Sequence, residues 1–177
     1  MKFSASALLI SGLTVFCAGA YAQTPAQPPA NPLDTVPENM PFNQPYGAPI
    51  AAGPAMKLIA EAEAEAKKHN WAMNIAVVDS GGNLVAFERM DGAQLASIAI
   101  AQHKARSSVK FRRETKVFED AIQKGGFNYV ATLDDIVASR GGFPLIEDGK
   151  IVGAIGCSGG TGSQDAVVCG AAAAMMK

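Results

Sequence analysis

Two pairs of short apolar runs, each closed by a glycine turn and set between amphipathic stretches, constrain this chain most. Met73, Ile75 and Val77 alternate with their neighbours, as do Val85, Phe87 and Arg89, with Ser80-Gly81-Gly82-Asn83 between the two runs. Strands joined by so short a turn pair antiparallel. The second pair is Phe143–Glu147 and Lys150–Cys157, around Asp148-Gly149. That dipeptide suits a tight hairpin turn.

Helical periodicity fills the space around the hairpins. Ala55, Leu58, Ile59, Ala62 and Ala66 form one stripe, which ends near Asn70. Leu95–Phe111 reads as a second helix, with a main apolar face of Leu95, Ile98, Ala99, Ala105 and Val109. A second stripe, Ala96, Ile100, His103 and Ser107, lies apart from the first. A helix with two such stripes touches something besides its own sheet, a ligand or another subunit. Glu114–Ile122 predicts a short helix stopped by Gly125-Gly126. Thr132 predicts the cap of another, with Asp135 in its first turn and Gly141-Gly142 at its end. Asp165–Met176 predicts an alanine-rich terminal helix. The order is helix, hairpin, helices, hairpin, helix. It predicts an α/β domain of the α+β type, a mainly antiparallel sheet packed against helices.

The domain is expected to begin at Gly53 and run to Lys177. Before it, residues 1–22 have the parts of a cleavable export signal: Lys2, an apolar run from Ala5 to Ala20, and Ala20-Tyr21-Ala22 as a small-x-small cleavage pattern. The apolar run is shorter than the roughly 20 residues a spanning helix needs. The mature chain would start at Gln23, without a membrane span, in the periplasm or outside the cell. Residues 23–52 hold eight prolines and read as a linker or extended arm, outside the fold or wrapped on a neighbouring subunit. Loss of Lys2 leaves 14 basic and 16 acidic residues, a net charge near −2. That balance gives no nucleic-acid surface. Cys157 and Cys169 remain in the mature chain. An oxidising compartment permits a disulfide between them, and two buried thiols are the other reading.

Several motifs together resemble a known family. They are Ala76-Val77-Val78-Asp79-Ser80-Gly81-Gly82, then His103-Lys104-Ala105-Arg106 with Phe111 and Thr115, then Gly141-Gly142-Phe143-Pro144-Leu145 with Asp148-Gly149. Gly153-Ala154-Ile155-Gly156-Cys157-Ser158-Gly159-Gly160 and Asp165 complete the set. In this order, over Met56 to Met175, they resemble the GlcG/HbpS-like family of small haem-binding proteins. That family is itself similar to the C-terminal domain of PduO-type corrinoid adenosyltransferases. The resemblance implies a profilin-like fold, homo-oligomers from dimer to octamer, and haem binding in some members. Cys157 departs from the pattern, where valine is expected.

Haem needs an apolar surface, an axial ligand and cations for its propionates. His69 sits among Lys67, Lys68 and Asn70, as at a solvated helix end. His103 is the candidate metal ligand, with Lys104 and Arg106 as propionate partners; a packed or interface histidine is the alternative. Met90 and Tyr129 are further ligand types, and both read more simply as apolar anchors. The loop Ser158–Ser163 offers backbone amides to an anion, or is a sharp turn in which Asp165 takes that place. Asp79 reads as the acceptor of a local turn. Arg89, Asp91 and Arg106 form an ion-pair cluster or an anion site. No hydrolase constellation is evident. The leading expectation is an exported protein that binds haem or a related tetrapyrrole, with a role in haem or iron handling; binding is favoured over catalysis, and enzyme activity stays open. A small enzyme acting on a carboxylate metabolite and an oligomeric scaffold are the alternatives.

Overall fold

The computed structural model describes residues 35–176. The expected export signal and the first part of the proline-rich stretch lie outside the described residues. Helix α1 spans Ala52–Lys68 and buries Ala55, Leu58, Ile59, Ala62 and Ala66, the stripe its periodicity predicts. Lys67 and Lys68 occupy its last turn, where cations suit the helix dipole. Asn70 then turns left-handed at φ 56° and leads the chain into the sheet.

Strands β1 (Asn74–Asp79) and β2 (Leu84–Arg89) form the first hairpin, and β3 (Gly142–Glu147) and β4 (Lys150–Ser158) the second. The sheet order is β2-β1-β4-β3, with every neighbour antiparallel. The hairpins join through β1 and β4, which set Asn74 opposite Ser158 and Asp79 opposite Gly153. Asp148 and Gly149 both take positive φ, 48° and 73°, as a tight hairpin turn of this twist requires.

Helix α2 (Ala96–Phe111) covers one face of the sheet, and α1 with α4 (Gly162–Ala173) covers the other. β1 is therefore buried on both sides. Ile75 and Val77 enter the core beneath α1 and α4; Ala76 and Val78 enter the core beneath α2. Cys157 on β4 and Cys169 on α4, both fully buried, are disulfide-bonded and tie that helix to the sheet.

Three expectations change. First, the end of the proline-rich stretch belongs to the domain. Tyr46 bridges Ile151 in parallel, and the Gly47 and Ile50 amides donate to the carbonyls of Ile151 and Val152, both at 2.8 Å. β1 stops opposite Gly153, so the arm takes the positions on β4 that β1 leaves unpaired. The Tyr46 hydroxyl donates to the Val109 carbonyl at the end of α2 (3.0 Å), and Ile50 enters the core.

Second, the segment after α3 (Lys116–Gln123) holds a short 3-10 helix at Asn128–Thr132, not one beginning at Thr132. Asp135 lies beyond it in a left-handed conformation, φ 65°. Third, α4 begins three residues early. Thr161 and Gln164 close a reciprocal capping box, which satisfies two amides at its start.

Candidate functional site

Helix α2 rests directly on sheet backbone. A Cβ added at Gly156 would lie 2.2 Å from the Ala101 carbonyl oxygen and 2.5 Å from the Ala105 amide nitrogen. One at Gly142 would lie 2.5 Å from the Lys104 carbonyl oxygen. Only small side chains fit so close an approach, so Ser97, Ala101, Ala105 and Ser108 face inward. The expected apolar face is rotated accordingly. Ala105 and Val109 are buried, but Leu95 is 68% exposed and Ala99 is exposed.

The inner face also carries a charge. Lys104 is fully buried, and its Nζ donates to Asp165 Oδ2 at 2.7 Å. Asp165 Oδ1 accepts from the Gly159 and Gly160 amides at 3.1 and 3.2 Å. The glycine-rich loop thus spends its amides on an internal carboxylate. Lys104 is correspondingly not at the surface, and the expected role as a propionate partner does not survive this burial. The Ser158 hydroxyl donates to Ser97 Oγ at 3.0 Å in the same layer.

The outer face is the candidate site. Leu95, Ala99, Ile100 and His103 are exposed along it. Arg106 and Lys110 continue the same face three and seven residues beyond His103. Lys110 pairs with Asp135, which the loop after α3 brings in. That hydrogen bond, more than the nearby charges of Lys110, Arg106 and His103, holds the Asp135 carboxyl below its ordinary range. The face therefore runs from apolar at the start of α2 to cationic at its end, with an imidazole between. The structure brings His103 and Arg106 together and removes Lys104. Lys110 was readable from its helical spacing to His103. Asp135 was not, because only the fold carries it there.

The other expected residues take structural places. Asp79 is partly buried, which favours its neutral form. Hydrogen bonds from Asn83 and from the Gly81 amide outweigh this and hold its carboxyl below its usual range. His69 stacks on Trp71 at the end of α1 and meets Glu65 at 3.3 Å. Met90 packs half-buried against the main core, and Tyr129 lies half-exposed near Phe127. Arg89 and Asp91 do not join Arg106. Arg106 lies near Gly82 at the turn between β1 and β2, whereas Arg89 and Asp91 lie at the far end of β2.

An α2 seated on glycines, a glycine loop closed on Asp165 and a four-stranded antiparallel sheet define a small three-layer α/β domain. The chain belongs to the family described as "Haem degrading protein HbpS-like", which matches residues 50–174. GlcG of Escherichia coli K12 is 44% identical over 104 residues, which is 59% of this chain and 77% of GlcG. The ORFY protein of Klebsiella pneumoniae has the same fold, with a TM-score of 0.69 at 28% identity over 80% of this chain and 97% of ORFY. A PduOC complex solved with haem gives a TM-score of 0.65 at 26% identity, over 72% of this chain and 94% of that one. Among the described residues, no helix is long and apolar enough to cross a membrane.

Proposed function

We propose that this protein binds haem on the outer face of α2, with His103 as an axial ligand. The observation that carries the reading is an exposed imidazole between an apolar stretch (Leu95, Ala99, Ile100) and two cations (Arg106, Lys110) on one helix face. An imidazole ligates iron, apolar side chains take the macrocycle, and cations meet the propionates. The solved haem complex of the similar PduOC supports the choice of ligand.

The face is open to solvent, so a flat ligand laid on it keeps one side in water. A second copy of the chain would cover that side, which favours a homo-oligomer. Export to the periplasm or beyond is part of the same reading. The Cys157–Cys169 disulfide supports it, because such bonds persist in oxidising compartments.

Haemin titration followed by absorbance tests the proposal. The expected result is a saturable Soret band whose position or intensity changes in His103→Ala. Lys104→Met, if folded, is expected to leave the band as in wild type. A wild-type band unchanged in His103→Ala removes the ligand assignment, and no saturable band removes haem.

A further inference from the structure

The cationic end of the α2 face already holds a carboxylate. Lys110 donates from Nζ to Asp135 Oδ2, and the two side chains remain 45% and 41% exposed. Asp135 belongs to the loop between the 3-10 helix and β3, where it takes a left-handed conformation, φ 65°. Aspartate and asparagine enter that region more easily than most residues. The same loop meets α2 a second time, where the Val137 amide donates to Ser107 Oγ at 3.2 Å. That contact is neutral, and Ser107 is buried, so the loop keeps a seat on the helix without the ion pair.

The charges of Arg106 and His103 reach Asp135 along with that of Lys110, and Asp134 adjoins it on the loop. The stems of both cations lie near the turn between β1 and β2. A Cβ added at Gly82 would be 3.7 Å from Lys110 Cε and 4.0 Å from Arg106 Cγ. Among the described residues, Arg106 makes no ion pair and Lys110 makes only the one with Asp135. Haem brings two propionates to these two cations. One can meet Arg106 directly. The other meets Lys110 only where Asp135 now stands, and three carboxylates would then share two cations.

We propose that Asp135 stands in the place of a ligand carboxylate and competes with it for Lys110. The inference rests on the haem reading above and makes Asp135 a specificity residue of that site. A dicarboxylate tetrapyrrole gains only the difference between its own pairing and that of Asp135. A neutral tetrapyrrole meets no such competition.

Asp135→Asn tests this, because it removes the charge, keeps the size and suits the left-handed backbone. Haemin titrations followed by absorbance compare the variant with wild type, and both are repeated with haemin dimethyl ester, which has no free carboxylate. Haemin is expected to bind about two- to fivefold tighter to Asp135→Asn, the modest gain that an exposed ion pair allows. The ester is expected to bind both proteins alike. A saturable wild-type band with haemin affinity equal or weaker in Asp135→Asn overturns the inference and leaves the haem reading standing. An equal gain for the ester also overturns it, since loop opening rather than charge would then be the cause. No saturable band with wild type removes the haem reading and this inference with it.

Discussion

The two faces of α2 share one helix and differ in almost everything else. His103-Lys104-Ala105-Arg106 is a continuous tetrapeptide, but the helix sends its members in opposite directions. Lys104 and Ala105 face the sheet, and His103 and Arg106 face outward. The inner face has small residues, a buried ion pair and backbone in contact with glycine. The outer face has larger apolar residues left in solvent, an imidazole and cations. Here the polar, small face is the structural one and the apolar face is the candidate binding surface. Large apolar side chains are kept off the inner face where α2 meets Gly142 and Gly156, so small residues take that side and Leu95 and Ile100 are left in solvent.

The largest expected effect breaks the inner face at its charge. Lys104→Ala leaves the buried Asp165 carboxyl with only the Gly159 and Gly160 amides as partners. Removing one member of such a pair costs about 3–5 kcal/mol. Urea unfolding should show it as a large fall in midpoint. The outer-face counterpart, His103→Ala, should stay within about 0.5 kcal/mol of wild type, as exposed positions do. Equal losses in the two variants would mean that the faces are not divided as the structure divides them.

Next comes the close approach itself. Gly156→Ala places a Cβ against helix backbone, which has no rotamer by which to escape. Overpacking of this kind costs about 1–3 kcal/mol. A larger addition on the outer face, Ala99→Leu, meets solvent and should change stability by under about 0.5 kcal/mol. Thermal melts of the two variants compare the faces directly. A tolerated Gly156→Ala would show that α2 rides more loosely on β4 than its contacts require.

Much of the fold is legible in the sequence. Alternation and glycine turns announced both hairpins, and the stripe of α1 is the one its spacing predicts. The orientation of α2 was not readable from its own residues. Leu95, Ile98 and Ala99 look like a core face, and only the glycines at 142 and 156, far along the chain, make Ser97 and Ala101 the better fit. The arm is hidden by composition: among so many prolines, Tyr46 and Ile50 do not stand out as anchors. The Thr161–Gln164 capping box was readable and sets the true start of α4. At the candidate site, His103 and Arg106 are legible in the sequence as chemically distinctive residues. Lys104 was misplaced with them because sequence adjacency does not state which side of a helix a residue takes.

The smallest expected effect concerns the support of the inner face from outside the helix. Glu119 on α3 accepts from the Arg140 amide at 2.8 Å and from its Nε at 2.9 and 3.0 Å, just before Gly141-Gly142 passes beneath Lys104. The Arg140 side chain is the main cause that holds the Glu119 carboxyl below its ordinary value of 4.5, against the opposing effect of burial. A carboxyl with a lowered folded pKa stabilises the fold fully above its unfolded pKa. That contribution is lost as pH falls through the lower folded value. Glu119→Gln should therefore be less stable than wild type at neutral pH, and the two should converge below pH 4.5. Arg140 keeps 26% of its side chain exposed, so solvent limits the difference to about 1 kcal/mol. Urea midpoints measured across the acid range decide the matter. A gap that closes on acidification assigns the clamp to charge. A gap that persists unchanged assigns it to packing, and the support of the inner face then rests on shape alone.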